Sequence, residues 1–86
     1  MELTVYGSLR GATGSKETTV AFDGGTVRDA LGAFVDTYPR TEGQLFDESG
    51  AVRPSVRVQV NGERADLDDD CPADAEVTLF PAMQGG

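Results

Sequence analysis

Between Thr26 and Pro39 the chain carries one apolar stripe at helical spacing, and such a stripe needs a face to bury it. Val27, Ala30, Leu31, Phe34, Val35 and Tyr38 recur in the i, i+3, i+4, i+7 pattern of an amphipathic helix. Thr26 suits the N-cap, and Asp29 three residues later is a shorter version of the capping-box acid. Pro39 disfavours the α region in the residue before it, so the helix should stop at about Thr37. No other stretch has this period over a comparable length. Its partner surface must therefore come from strands.

The strands announce themselves by alternation. Leu3 and Val5 point inward with Thr4 and Tyr6 outward, and Val20 and Phe22 repeat the pattern after a loop at 10–15. These two segments predict an antiparallel hairpin, closed off by Asp23-Gly24-Gly25. Val56, Val58 and Val60 alternate with polar residues over 55–60, and Asn61-Gly62 signals a type I′ turn into a short edge strand at 63–65. A short second helix at 41–46 should tuck Leu45 and Phe46 under the core; 47–50 is a surface loop, 66–74 an acidic one. Residues 76–80 form the last strand. The order β-β-α-β-β-β with one main helix predicts an α+β fold of the β-grasp type. Its mixed sheet of four to five strands has the first and last strands parallel at the centre. We expect one domain over 1–82 and a C-terminal lead over 83–86.

Charge narrows the function. Fifteen acids face seven bases, a net charge of -8, and Lys16 is the only lysine. Nucleic acid and anionic membrane are poor partners for such a surface, because phosphate contacts need a basic face. With no apolar run near the length of a membrane helix, a cytoplasmic monomer is expected. The acid excess has the style of salt-adapted proteins. Self-repulsion is screened once the Debye length falls to about 3 Å at 1 M salt. Stability should therefore rise steeply from about 0.1 to about 2 M NaCl. Equal urea midpoints at the two salt levels would contradict this.

Catalysis finds no internal support. The single cysteine, Cys71, excludes an internal disulfide and a four-cysteine iron–sulfur cluster. With no histidine there is no Cys-His pair, and the neighbouring acids should raise the Cys71 pKa, giving an inert or half-buried thiol. The run from Gly11 to Lys16 superficially resembles a phosphate loop. A Walker loop needs adjacent Gly-Lys and a following helix; here Ser15 intervenes and a strand follows, so it reads as an ordinary loop. Asp66, Asp68 and Asp70 imitate the opening of a calcium loop. Cys71 stands where its glycine belongs and Val77 where its glutamate belongs, which leaves a solvated acidic face and no metal site.

Attention then falls on Phe80-Pro81-Ala82-Met83-Gln84-Gly85-Gly86. Gly85 and Gly86 lack a Cβ, so they can pass through a slot too narrow for other residues and present the Gly86 carboxylate unhindered. Five extended residues reach roughly 16 Å. Tyr6 and Phe80 should point away from the helix on neighbouring central strands. With Pro81 and the aliphatic stem of Arg57 they would form an exposed patch at the tail's root, a docking face.

From Val77 through Phe80-Pro81 to Gly85-Gly86, and by element order over the whole chain, the sequence resembles the ubiquitin-like small archaeal modifier proteins and the sulfur-carrier subunit of molybdopterin synthase. Family members often have a second proline where Ala82 stands, so the tail here is less stiff. The resemblance implies a protein that is not an enzyme and has no cofactor of its own. An E1-like adenylating partner would use ATP to convert Gly86 to an acyl-adenylate. A lysine of a target protein would then attack, giving an isopeptide bond; Lys16 of another copy is one such acceptor. Alternatively, sulfur transfer would give a thiocarboxylate for the large subunit of molybdopterin synthase or for tRNA thiolation. The residues leave these two fates open, together with a passive ubiquitin-like binding module that uses the patch alone.

Overall fold

The computed structural model describes residues 1–54 and 56–80. The chain runs β1 (Glu2–Val5), α1 (Ser8–Thr13), β2 (Glu17–Thr19), β3 (Gly25–Thr26), α2 (Val27–Thr37) and a 3-10 turn (Pro39–Thr41). It continues through α3 (Glu42–Leu45), β4 (Arg57–Val60), β5 (Glu63–Arg64), β6 (Asp70–Cys71) and β7 (Glu76–Phe80). Five strands make one mixed sheet in the order β2-β1-β7-β4-β5. β1 and β7 are the parallel central pair, with Leu3 opposite Val77 and Val5 opposite Leu79. Every other pairing in this sheet is antiparallel. This is the expected α+β, β-grasp arrangement.

Alternation decides which face is dry. Leu3, Val5, Val77 and Leu79 are buried, and so are Val58 and Val60 on β4. They join Val27, Ala30, Leu31 and Phe34 of α2 in one core, in which Phe34 is fully enclosed. Val35 and Tyr38, the outer members of the stripe, are only partly covered. At the other end of β4, Asn61 and Gly62 both have positive φ (52° and 84°), as the type I′ turn requires. Asn61 adds a second function: its Oδ1 accepts from the Glu76 amide (3.0 Å), tying the turn to the start of β7. Leu45 is buried and Phe46 partly so, as expected for the short helix after Pro39. The 47–50 loop is closed by the Asp47 carboxylate, which accepts from Ser49 Oγ (2.6 Å), Ser49 N (2.8 Å) and Ala51 N (3.2 Å). Those bonds, the Ser49 hydroxyl's foremost, hold Asp47 below the usual carboxylate pKa.

The N-terminus of α2 shows how the acidic loop is used. Thr26 Oγ1 accepts from the Asp29 amide (3.2 Å) while Asp29 Oδ2 accepts from the Thr26 amide (3.1 Å), a complete capping box. The next two donors are met by the acidic stretch: Val27 N reaches Asp69 O (2.9 Å) and Arg28 N reaches Leu67 O (3.0 Å). First-turn amides have no partner within their own helix, so these bonds satisfy groups that burial would otherwise leave orphaned. A Cβ at Gly25 would lie 2.6 Å from Asp29 Oδ2, so only glycine leaves room for the box.

Four expectations need correcting. Residues 10–15 are not all loop: α1 occupies Ser8–Thr13, bracketed by Gly7 (φ 60°) and Gly14 (φ 83°), and buries Leu9 completely. The second strand is shorter than its alternation suggested and ends at Thr19; Val20 is buried, but Phe22 is only partly covered. The 66–74 segment is more than a solvated loop, because β6 pairs with β3 in a small second sheet, Gly25 opposite Cys71. That pairing carries Cys71 into the core, where burial raises its thiol pKa against the opposing pull of the N-terminal ammonium. Desolvation, not the surrounding acids, is therefore the cause. Ser55, the expected start of the strand over 55–60, lies outside the described residues; β4 begins at Arg57. No described helix is long and apolar enough to cross a membrane.

Candidate functional site

The sheet has one face under α2 and one without a helix, and the second face is polar except at one end. Thr4 and Thr78 are half-exposed neighbours along its middle. Toward the tail the surface becomes aromatic. The parallel register continues one residue beyond β1, with the Tyr6 amide donating to Leu79 O (3.3 Å), and this sets Tyr6 beside Phe80. Their rings stack with centroids 4.9 Å apart and planes within 5° of parallel. Tyr6 is 37% exposed, an exposed large apolar side chain, and Phe80 is half-buried. A stack of this geometry is worth about 0.5–1.5 kcal/mol beyond the area it buries.

Two cations flank the stack. Arg57 is the β4 residue directly opposite Phe80 in the antiparallel ladder, and it is exposed. Lys16 places Nζ 5.1 Å from the centroid of the Tyr6 ring. The Lys16 carbonyl accepts from the Val5 amide (2.8 Å), so the first hairpin fixes where that side chain starts. At an exposed site such a contact contributes about 0.5–1 kcal/mol. The structure thus brings together three of the four residues expected to form the patch, Tyr6, Phe80 and Arg57. Pro81, Gly85 and Gly86 lie outside the described residues, as does the boundary expected at 82.

Sequence reasoning missed the place of Lys16, which it treated only as the single lysine and a possible isopeptide acceptor. The signal was present in the hairpin: Thr4 opposite Glu17 puts Val5, and then Tyr6, beside Lys16. The turn between the strands looked like loop, so the register could not be counted across it.

Chemically, the assembled surface is suited to binding. It offers ring faces, two fixed positive charges and hydroxyls, without a base beside a nucleophile. Among the described residues no three of His, Cys, Asp or Glu gather as a metal site. Removing the Phe80 ring should leave the core intact while taking away half the stack. Phe80→Ala is expected to weaken partner association about tenfold or more, as an aromatic anchor at an interface does, with a cooperative urea transition retained. Titration calorimetry with an adenylating enzyme of the kind the sequence resemblance implies checks this; unchanged affinity in a folded variant would remove the docking role.

Comparison with known proteins agrees with this geometry. The sequence model of the ThiS family matches residues 3–86. Small archaeal modifier protein 1 of Haloferax volcanii is 37% identical over 87 residues, with both chains covered completely. The crystal structure of that Haloferax volcanii protein superposes with a TM-score of 0.91 at 36% identity, covering 100% of this chain and 98% of the other. A chain of the BexX/CysO complex of Amycolatopsis orientalis shares the fold, with a TM-score of 0.80 at 21% identity over 99% of this chain and 98% of its own.

Proposed function

The chain belongs to the ThiS family, and on that premise we propose that it is a ubiquitin-like protein modifier whose Gly86 carboxylate is activated by a partner enzyme and joined to lysines of target proteins. The observation that carries this reading is the full-length similarity to a small archaeal modifier protein. The Tyr6–Phe80 stack supports it, since in sequence only Pro81-Ala82-Met83-Gln84 separate Phe80, the last residue of β7, from the glycine pair.

A carboxylate is a poor electrophile, because its charge is shared by both oxygens and oxide leaves badly. In the proposed first step a Gly86 oxygen attacks the α-phosphorus of ATP in the E1-like partner, and pyrophosphate departs. The resulting acyl-adenylate has AMP as a good leaving group. A neutral lysine amine of the target then attacks the carbonyl carbon, the C–N bond forms, AMP leaves and the amine loses a proton. This chain supplies the acyl group and the docking face; all acid–base work and the nucleotide belong to the partner. Residues 1–82 would act as the handle and 83–86 as the lead that enters the partner's active site. The sheet face with Tyr6, Phe80, Arg57 and Lys16 would meet the partner while Gly85 threads the channel.

Sulfur transfer shares the activation step and differs only in the nucleophile that follows. Family membership favours keeping it as a second reading, with the large subunit of molybdopterin synthase or tRNA thiolation as the destination. Mass spectrometry of the chain recovered from cells distinguishes the outcomes. Target lysines carrying a Gly-Gly-ended remnant establish the modifier. An intact chain heavier by sulfur for oxygen at Gly86 establishes the carrier. Absence of both, together with no adenylate formed by a cognate activating enzyme and ATP, refutes activation at Gly86 altogether.

A further inference from the structure

We propose that the rim of the sheet beside β5 is a second docking site, sharing only Arg57 with the Tyr6–Phe80 face, which seats an acidic segment of a partner protein with one aliphatic side chain between its carboxylates. The site exists because β5 is shorter than β4. It pairs only with Gln59 and Val60, and after Ala65 N bonds Val58 O (3.0 Å) the chain turns away. On that side Val56 and Arg57 are left without a neighbouring strand. A recess of roughly 180 Å³ opens there, floored by Val52, Val56, Val58, Ala65 and Leu67.

Its lining includes Arg57 and Arg64 against one carboxylate, Asp66; Arg53 borders it too, but its Nε donates to Gly43 O (2.8 Å) and its charge acts on Asp47. Arg57 and Arg64 are two of the seven basic residues in a chain with fifteen acids. Arg57 and Arg64 are both exposed. Small-molecule sites run to about 300–1,000 Å³, so this recess is too small for a nucleotide and suits one side chain. A bare anion would leave the apolar floor wet, and an apolar peptide would leave the guanidinium groups unpaired. An acid–aliphatic–acid segment satisfies both, with bidentate arginine–carboxylate geometry available at the walls. The chain has such a segment itself, Asp66-Leu67-Asp68, but Asp66 and Leu67 already form part of the recess wall. A partner must therefore supply it.

The test titrates the full ¹⁵N-labelled chain with the peptide acetyl-Asp-Glu-Leu-Asp-Glu-amide. Amide shifts should centre on Val56, Arg57, Val58, Arg64 and Ala65. Arg64→Gln, on an exposed edge strand, should weaken binding about fivefold, the effect of one exposed charge pair at the upper end of its range. The remainder of its spectrum, unchanged, establishes that it folds. Replacing the peptide's leucine by glycine should weaken binding similarly. The proposal is overturned if no shifts occur at the highest soluble peptide concentration, or if they centre on Tyr6 and Phe80. It also fails if inorganic phosphate reproduces them, which would mean a simple anion site, or if Arg64→Gln and the glycine peptide bind as well as the originals.

Discussion

Removing Gly85 and Gly86 is expected to reduce ATP–pyrophosphate exchange by the cognate activating enzyme to the level of enzyme alone, a loss of at least about 10²–10³-fold. The magnitude follows from what the deletion does. It withdraws the reacting carboxylate from the partner's nucleotide site by two residues, roughly 7 Å of extended chain, and misplacement by even about 1 Å costs on the order of a hundredfold. Stability should hardly change, because the core described runs from Met1 to Leu79 and the deletion leaves all of it in place. A shift in Tm of less than about 4 °C corresponds to the half kilocalorie typical of changes away from the core. Binding of the truncated chain to the same enzyme should survive, since Tyr6, Phe80, Arg57 and Lys16 remain. That combination separates an activated acyl donor from a passive binding module, which would keep its whole function. Retention of full exchange activity would end the acyl-donor reading.

The second large effect is on folding. Phe34 sits at the middle of α2 with no solvent exposure, its ring 5.5 Å from that of Tyr38. Phe34→Ala is expected to cost about 3–5 kcal/mol, the lost transfer of the ring plus the cavity left behind. A domain of this size holds only about 4–13 kcal/mol in total. The urea midpoint should therefore fall by roughly 2 M, measured in high salt where the acid excess is screened. The contrast with the glycine deletion is the useful part: one variant folds and cannot react, the other retains its tail and loses its mount. If Phe34→Ala unfolded at the parent midpoint, the core described for α2 against the sheet would be wrong.

How much of this was legible in the residues depends on the range of each signal. The capping box at Thr26 and Asp29, the stop before Pro39 and the Asn61-Gly62 turn are all settled within a few residues. Each stands as expected. The valines of β4 were read correctly for the same reason, since alternation reports directly on burial. α1 was not legible. Six residues are too few to show a helical period, and a helix that short is unfavourable without tertiary contacts. Burial of Leu9 between two positive-φ glycines makes it form. The same limit hid the β3–β6 pair, two residues on each side, and with it the burial of Cys71.

At the candidate site the sequence by itself determined that Tyr6 and Phe80 would face away from the helix, because that follows from each strand's own alternation. It also determined the acid excess and the glycine pair that carries the proposed chemistry. Only the tertiary structure decided that the two rings stack, that Lys16 covers one of them, and that Arg57 and Arg64 line one recess. Periodicity specifies which face a side chain occupies. It carries no information about which distant strand supplies the neighbour, and that choice is made by the parallel register of β1 with β7 and by where β5 ends.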